Sequence, residues 1–281
     1  MRVDVDDPVW FITGASAGLG LALAVAALER GDRVVAAARR STALRERLSG
    51  YGDRALVVAL DVTDGEAVAA AVRDAAERFG QFDVIVNNAG RGLVGALEET
   101  TDRQFRELMD LHLFGPVALI RAVLPYLRAR RRGTIVQISS FGAAAPAPGF
   151  TAYAATKAAL EGLSASLKQE LAPFGIAVIV VQPGALRTEF AGPPLEQAAQ
   201  LPAYDETVGA VRSALAASDG RQGGDPARAA QVILAAVDSD APPSHLALGA
   251  DAIERLLAHT DQVRADWLAW TPPGRDIAFR K

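Results

Sequence analysis

Tyr153 and Lys157 are the two side chains of this sequence whose spacing is best suited to moving a proton. On a helix, residues four positions apart project from one face, so the phenol and the ammonium would lie side by side. An ammonium favours the phenolate, and we therefore expect the pKa of Tyr153 to fall from about 10 toward neutrality. Tyr and Lys also occur at this spacing by chance, so a second motif is needed.

A glycine-rich turn near the start of the chain supplies that motif. Residues 9–12 form a short apolar run typical of a buried strand, and residues 21–30 are rich in alanine and leucine, as in a helix. Between them, Gly14, Gly18 and Gly20 allow positive φ angles and close backbone approach, and the helix start offers free N–H groups to an anion. The spacing differs from G-x-G-x-x-G, so a purely structural turn remains an alternative.

Five motifs occur together and in order along the chain. They are T-G-x-x-x-G-x-G at 13–20, N-N-A-G at 87–90, Ser140, Y-x-x-x-K at 153–157 and P-G-x-x-x-T at 183–188. With these motifs the sequence resembles the short-chain dehydrogenase/reductase family over roughly residues 8–250. The resemblance implies a nicotinamide-dependent enzyme that interconverts a carbonyl compound and its alcohol.

Strand and helix patterns alternate along the chain, which predicts an α/β fold: one doubly wound Rossmann-type domain over 1–281, with a parallel sheet of about seven strands. The predicted strands are 9–12, 33–38, 55–60, 83–86, 134–138, 177–182 and 245–249. The predicted helices are 18–30, 42–49, 64–79, 102–128, 152–173, 226–238 and 250–268. Polar residues follow several strands at their carboxyl ends, where ligands bind in such sheets.

Two segments depart from the alternation. Residues 189–225 are long and poor in strand signals, and in the family this position holds a lid that covers the substrate. We expect short helices near 194–200 and 205–217, and a lid that is mobile until ligands bind. Residues 250–281 are interpreted as a C-terminal extension that packs on the domain.

The resemblance assigns catalytic roles to four residues. Tyr153 would protonate the alkoxide that hydride transfer leaves, or take the proton in the oxidative direction, while Ser140 hydrogen-bonds the substrate oxygen. Lys157 would lower the pKa of Tyr153 and hold the nicotinamide ribose. His112 stands where the family usually has an asparagine in a distorted helix, and two roles stay open for it. It could preserve the distortion, which we favour, or serve as a titrating proton shuttle.

The end of the second predicted strand indicates the cofactor. An NAD enzyme places a carboxylate there, whereas this chain has Ala38 followed by Arg39 and Arg40, and guanidinium groups suit a 2′-phosphate. We predict NADP(H), with Arg39 as the leading contact. The other cofactor contacts implied by the resemblance are Gly14, Ser16, Gly18, Leu19, Gly20, Arg40, Asp61, Val62, Asn88, Ala89, Gly90, Tyr153, Lys157, Pro183, Gly184, Leu186 and Thr188.

Mostly apolar residues flank the predicted chemistry in the sequence. We expect the substrate pocket to include Leu93, Ser140, Phe141, Phe150 and Phe190, with Leu186 and Tyr204 as further candidates. This favours a hydrophobic ketone or aldehyde over a sugar. Two alternatives are a non-catalytic NADP(H)-binding regulatory or interaction protein, and an enzyme that uses bound nicotinamide for epimerisation or dehydration. The presence of Ser140, Tyr153 and Lys157 favours a reductase.

Composition excludes several other functions. The 281 residues include no cysteine and three histidines, so neither disulfides nor a metal site is expected. A net charge of −4 gives no reason to expect nucleic-acid binding. The uncharged run 9–28 follows three aspartates and carries glycines, so we interpret it as strand, turn and helix rather than a signal or membrane segment. We expect a soluble, cytoplasmic homodimer or homotetramer.

Overall fold

A computed structural model describes residues 7–192, 195–277 and 279 of the protein. Seven parallel strands form one sheet: β1 Val9–Thr13, β2 Arg33–Ala38, β3 Ala55–Ala59, β4 Val84–Asn87, β6 Gly133–Ile138, β7 Ile176–Pro183 and β9 His245–Leu248. Their order across the sheet is β3-β2-β1-β4-β6-β7-β9, so β2 and β3 lie on one side of β1 and the later strands lie on the other. The predicted α/β class and all seven predicted strands are confirmed.

Helices cover both faces of the sheet. The helices of the described residues are α1 Gly18–Arg30, α2 Thr42–Leu48, α3 Gly65–Phe79, α4 Asp102–Met109, α5 Gly115–Arg130, α6 Thr151–Leu171, α7 Ala210–Ser218, α8 Pro226–Val237, α9 Ala250–Ala269 and α10 Thr271–Arg275. Of these, α1, α2 and α8 contribute to the core on one face of the sheet, and α3, α5 and α6 to the core on the other. Successive side chains of a strand point to opposite faces, so β1 contributes to two cores. Trp10 and Ile12 pack with α1 and α8, whereas Val9 and Phe11 pack with α3 and α5.

The helix predicted over 102–128 is divided into three parts. A π-helical turn, Asp110–Phe114, separates α4 from α5, and Thr101 with Gln104 forms the capping box at the start of α4. By length and composition, the 29-residue run Asp102–Arg130 could cross a membrane. In the fold, Leu119, Val123 and Leu127 of this run are buried in the core against the sheet.

The segment 189–225 forms more regular structure than its sequence predicts. Two short parallel strands, β5 Leu93–Val94 and β8 Glu196–Gln197, pair with each other outside the main sheet. The helix predicted near 194–200 is therefore wrong over the described residues, and Pro193 and Pro194 lie outside them. The helix predicted over 205–217 is confirmed as a π-helical turn, Asp205–Gly209, followed by α7.

Candidate active site

The turn between β1 and α1 requires glycine at three positions. Gly14 and Gly18 have φ angles of 65° and 55°, in the left-handed region that side chains disfavour. A Cβ on Gly20 would lie 2.3 Å from Nδ2 of Asn88 and 2.4 Å from the carbonyl oxygen of Gly14. No acidic residue lies in the first turn of α1, and its N-cap Ala17 makes no side-chain hydrogen bond. The turn therefore forms a close-fitting backbone cradle with donors for an anion, which fits a dinucleotide diphosphate.

Asn88 supports this cradle through its side chain. Its amide nitrogen donates to the carbonyl oxygens of Thr13, at 2.9 Å, and of Gly14, at 3.1 Å. The hydroxyl of Thr13 accepts from the backbone N–H groups of Asn88 and Ala89 and donates to the carbonyl of Val86. The cofactor contact implied for Asn88 stays a prediction, and in the structure its amide nitrogen hydrogen-bonds the glycine turn. That group holds the end of β4 against the glycine turn.

Tyr153 lies on α6, buried beside Ser140. Ser140 accepts a hydrogen bond from the N–H of Gly142 at 3.0 Å, which fixes its side chain, and its hydroxyl also hydrogen-bonds the Tyr153 phenol. Burial raises the pKa of Tyr153 to about 12, and the bond to Ser140 lowers it by less. The pKa of Tyr153 therefore shifts opposite to the predicted direction, because loss of hydration outweighs the hydrogen bond to Ser140.

The Lys157 ammonium hydrogen-bonds the backbone at the end of β6 and lies over the Tyr153 ring. Its Nζ donates to the carbonyl of Ile138 at 2.8 Å and lies 5.7 Å from the centroid of the Tyr153 ring. Burial lowers the pKa of Lys157 to about 8, while the charge of Glu161 opposes that fall. The lysine is thus protonated at neutral pH, but by a small margin.

Glu161, one helical turn beyond Lys157, is a site residue that sequence reasoning missed. Its Oε1 accepts from the hydroxyl of Ser139 at 2.6 Å and from Nε2 of Gln182 at 3.0 Å. These partners lie at the ends of β6 and β7, so the carboxylate is held in place behind the lysine. The i, i+4 spacing of lysine and glutamate on a predicted helix was the signal that could have found it.

His112 is buried in the π-helical turn, and both its ring nitrogens have partners. Nε2 lies 3.2 Å from the backbone N–H of Arg91, which can only donate, so Nε2 accepts. Nδ1 lies 2.8 Å from the hydroxyl of Thr156, whose own proton goes to the carbonyl of Tyr153 at 2.8 Å. Nδ1 therefore carries the proton, and the imidazole is neutral.

The environment of His112 disfavours a titrating role. Burial, followed by the charges of Lys157 and Arg91, holds the pKa of His112 well below its usual value. Its ring meets the Tyr153 ring edge to face at 5.5 Å, and a Cβ on Gly90 would lie 3.0 Å from its Nε2. The expected helix distortion is present, and His112 fills the space between it and the tyrosine.

Two phenylalanines cover the other side of Tyr153. The rings of Phe150 and Phe190 each lie 5.8 Å from the tyrosine ring, centroid to centroid. Phe190 belongs to the segment 189–225, and a Cβ on Gly92 would lie 3.0 Å from its ring and 2.4 Å from Leu195. This segment therefore lies over the tyrosine in the structure, and an apolar wall faces the phenol.

A buried ion pair fastens the same segment to the domain. The Glu99 side chain is fully buried and accepts from the N–H groups of Ala96, at 2.7 Å, and Leu201, at 2.8 Å. Its Oε2 also lies 2.9 Å from Nη2 of Arg212, on α7. Tyr204 donates to Glu98 at 2.9 Å, which directs its hydroxyl to the surface of this region.

The remaining predicted substrate residues have different environments. Leu93 is buried in a cluster with Tyr153, Leu108 and Ala152. Phe141 is half-buried, with the guanidinium of Arg255 on α9 5.4 Å from its ring centroid. Leu186 packs against the core beside α8. Among the predicted substrate residues, Phe150 and Phe190 are the two whose aromatic rings contact the ring of Tyr153.

Two of the predicted cofactor residues, Arg39 and Asp61, line a surface cleft. Arg39 and Arg40 are exposed just beyond β2, while Ala38 is buried. A cavity of about 190 Å³ is lined by Arg39, Asp61, Thr63, Arg91, Glu107, Asp110 and Leu111. Asp61 accepts from the N–H and the hydroxyl of Thr63, and its pKa is lowered because these bonds and the charge of Arg39 together outweigh its partial burial.

The other predicted cofactor residues surround the cradle. Ser16 is exposed on the turn, whereas Leu19 and Val62 are buried. Thr188 lies against Gly18, where a Cβ would be 3.2 Å from the threonine methyl. Pro183 ends β7, and a Cβ on Gly184 would lie 2.1 Å from the carboxylate of Asp251.

Comparison with known proteins decides the family. A sequence profile of the short chain dehydrogenases matches residues 8–198. This chain belongs to that family. The short chain dehydrogenase is 41% identical to Oxidoreductase BOA17 of Botryotinia fuckeliana over 88% of its own length and 90% of the relative's. It is 36% identical to human Retinol dehydrogenase 8, with 83% of this chain and 78% of that one covered.

Solved structures of the family share the fold. A short-chain dehydrogenase from Streptomyces avermitilis matches with a TM-score of 0.91 and 48% identity, over 98% of this chain and 100% of that one. An alcohol dehydrogenase from Thermococcus sibiricus, complexed with 5-hydroxy-NADP, has a TM-score of 0.71 and 27% identity, with coverages of 86% and 96%. A 3-ketoacyl-(acyl-carrier-protein) reductase from Brucella melitensis, complexed with NADH, has a TM-score of 0.72 and 28% identity, with coverages of 86% and 95%. The family thus uses both nucleotides.

Proposed function

We propose that this short chain dehydrogenase is an NADP(H)-dependent oxidoreductase that interconverts a hydrophobic ketone or aldehyde and its alcohol. The observation that carries the proposal is the Tyr153 phenol, buried against the Ser140 hydroxyl, with the Lys157 ammonium beneath its ring. A buried proton donor next to a second hydroxyl suits the protonation of an oxyanion. Bound reduced nicotinamide would supply the hydride in this chemistry.

Each residue of the site has a distinct role in the proposed reaction. Tyr153, with its pKa raised to about 12, is protonated at neutral pH and can donate to the more basic alkoxide. Ser140 orients and shares hydrogen bonds with the same oxygen, and Lys157 stabilises the phenolate that donation leaves. His112 and Thr156 hold the ring and the helix of Tyr153 in position. Phe150 and Phe190 exclude water from the reacting oxygen.

The preference for NADP(H) rests on charge at the end of β2. Arg39 and Arg40 are exposed there, and Ala38 leaves no carboxylate to repel a 2′-phosphate. The glycine cradle and the uncapped start of α1 would hold the diphosphate. The NADP analogue bound by the Thermococcus enzyme is consistent with this choice, although the Brucella enzyme holds NADH.

The hydrophobic substrate class rests on the apolar wall of Phe150 and Phe190. The similarity to a retinol dehydrogenase supports it, since retinol is a long apolar alcohol. We further propose that the protein works in the cytoplasm as a homodimer or homotetramer. A non-catalytic NADP(H)-binding protein is the alternative, and no side chain of the site favours it over an enzyme.

Consumption of NADPH against a panel of aldehydes and ketones tests the function. We expect turnover with apolar long-chain carbonyls, a weaker rate with NADH, and a loss of 10²–10⁴-fold in kcat for Tyr153→Phe, since that change removes the proton donor and keeps the ring. NADPH binding by the variant should match the wild type. Retention of more than about a tenth of kcat would exclude Tyr153 as donor, and tight NADPH binding without any turnover would favour the non-catalytic alternative.

A further inference from the structure

Helix α9 leaves the domain with its apolar face exposed. It spans the 20 residues Ala250–Ala269, and Ala252 is the only buried residue among those described beyond Leu248. Large apolar side chains are instead open to solvent: Ile253 is 44% exposed, Trp267 72% and Trp270 74%. Exposed tryptophans in the last turn and at the C-cap of one helix mark an interaction surface rather than a packed extension.

The spacing of these residues is that of a helix-pairing seam. Six residues follow one another at alternating steps of three and four positions, which places them on one stripe: Ile253, Leu256, Thr260, Val263, Trp267 and Trp270. Leu256 and Val263 are half-buried, the other four are exposed, and Trp270 is the C-cap of α9. Thr260 donates its hydroxyl proton to the carbonyl of Leu256, so the one polar member of the stripe is satisfied within the helix. The polar residues of α9, such as Glu254, Gln262 and Asp266, lie outside this stripe. The stripe defines what we name the α9 seam.

The charges of α9 argue against a lipid bilayer as the partner of the seam. The helix carries four carboxylates and two guanidinium groups, as its sequence ADAIERLLAHTDQVRADWLA shows. Helices that lie on anionic membranes carry an excess of lysine and arginine on the polar face. A protein partner with an equal apolar stripe fits better, and a second copy of this chain offers one.

Charge also selects the direction of pairing. In an antiparallel pair, Ile253 faces Trp270 of the second copy, Leu256 faces Trp267 and Thr260 faces Val263. A single two-fold axis therefore gives every residue of the α9 seam a partner on the other helix. The same register brings His259 next to Asp266 of the second copy. A parallel pair would instead place His259 beside Arg264. The antiparallel arrangement gains an imidazole–carboxylate hydrogen bond, and the parallel one sets two basic groups together.

We propose that α9 is a self-association helix, which pairs antiparallel with α9 of a second copy through the α9 seam. Trp267 and Trp270 are the anchors, because each meets an aliphatic residue of the other helix. A 20-residue helix is about 30 Å long, which allows little more than two heptads of contact. The α9 seam therefore joins two copies that are already folded, and neither copy depends on it to fold.

The double variant Trp267→Ala/Trp270→Ala tests the seam by sedimentation velocity over a range of concentrations. Loss of two anchors should weaken self-association more than about tenfold and halve the mass of the assembly at low concentration. The control Ala258→Gln/Ala265→Gln changes the opposite side of the same helix and should keep the wild-type mass. NADPH binding reports folding of both variants. An unchanged mass for the tryptophan variant would overturn the proposal, whatever the outcome of the carbonyl screen.

Cross-linking tests the direction independently, because the chain has no cysteine of its own. Thr260→Cys lies near the two-fold axis and should form a disulfide-linked dimer under mild oxidation, whereas Ala258→Cys should not. Leu256→Cys should also fail, since antiparallel pairing sets the two copies of this residue about 16 Å apart along the axis. A Leu256→Cys disulfide would show parallel pairing. Flotation with phosphatidylcholine/phosphatidylglycerol vesicles that depends on Trp267 and Trp270, with no change in mass, would assign the seam to lipid instead.

Discussion

Replacing Glu161 by glutamine removes one charge from the candidate active site and leaves its hydrogen bonds in place. Ser139 and Gln182 both donate to Oε1 of Glu161, and a glutamine amide oxygen can accept both bonds. The change therefore isolates the electrostatic support that Glu161 gives to Lys157. We expect Glu161→Gln to fold as the wild type does.

The size of the effect follows from Coulomb's law. Side chains at i and i+4 of a helix lie roughly 6 Å apart at Cβ, and two unit charges at that distance interact by about 3 kcal/mol at an effective dielectric constant of 20. Glu161 is only half-buried, so we reduce this to about 1.4–2 kcal/mol, or about 1–1.5 pKa units. The pKa of Lys157, about 8 in the wild type, should therefore fall to roughly 7 or slightly below.

The sign of the pH effect is fixed by which form of Lys157 is needed. The protonated form supports Tyr153, so activity is present below the pKa of Lys157 and is lost as pH rises through it. In Glu161→Gln the alkaline limb of kcat/KM should move about 1–1.5 pH units lower, with a loss of roughly two- to fourfold at pH 7 and roughly five- to sixteenfold at pH 8. The quantity to compare is the difference in pH between the alkaline limbs of the variant and the wild type.

The assay is kcat/KM against pH at saturating NADPH, with a carbonyl substrate from the screen. Glu170→Gln is the matched control: it removes an exposed carboxylate from the same helix, where it only accepts from Ser166. Its profile should overlay that of the wild type. Coincident alkaline limbs for Glu161→Gln and wild type would refute the view that Glu161 keeps Lys157 charged.

Three further changes test other parts of the site. Arg39→Ala should weaken NADPH binding by roughly 10–100-fold and leave NADH binding nearly unchanged, because charge-assisted hydrogen bonds to a phosphate contribute about 1.5–3 kcal/mol. Equal wild-type dissociation constants for the two nucleotides would contradict the predicted preference for NADPH. His112→Asn should keep kcat within about fivefold and show no inflection between roughly pH 5.5 and 7.5 in either protein, because the buried imidazole is already neutral; a neutral-range inflection found only with histidine would establish a shuttle. Glu99→Gln should lower the free energy of unfolding in urea by about 3 kcal/mol, since it leaves the mostly buried Arg212 side chain without a counter-charge. Adding Arg212→Met should restore part of that loss, and additive effects of the two substitutions would argue against the ion pair.

The elements that the sequence predicts well are those set by neighbouring residues. The apolar runs of β1 and β7, the Thr101–Gln104 capping box and the glycine turn all depend on short-range patterns, and each lies within one or two residues of its predicted place. The pairing of Leu93 with Glu196 depends on two segments about a hundred residues apart, and neither has a strand pattern of its own. Local rules therefore gave a helix where the fold forms a strand.

The sequence predicts which residues form the candidate active site, but it does not predict their protonation states. The motifs placed Ser140, Tyr153 and Lys157 together, but the direction of the Tyr153 pKa depends on burial by Phe150, Phe190 and His112, which approach from three different segments. Likewise, the neutral state of His112 follows from hydrogen bonds to Arg91 and Thr156, distant from it in sequence. A spacing rule cannot supply the dielectric environment that these contacts create.

That environment favours one direction of the proposed reaction. At pH 7 a phenol of pKa about 12 is protonated, which is the form required to complete a reduction. Oxidation of an alcohol would first require the phenolate, at a cost of about 7 kcal/mol for five pKa units. Lys157 can offset part of this cost, but its own proton is held by a margin of about one unit at that pH. We therefore expect carbonyl reduction to be the faster direction at neutral pH, with alcohol oxidation gaining only as the pH rises, and comparison of the two initial rates from pH 6 to 10 would show whether the buried phenol governs the balance.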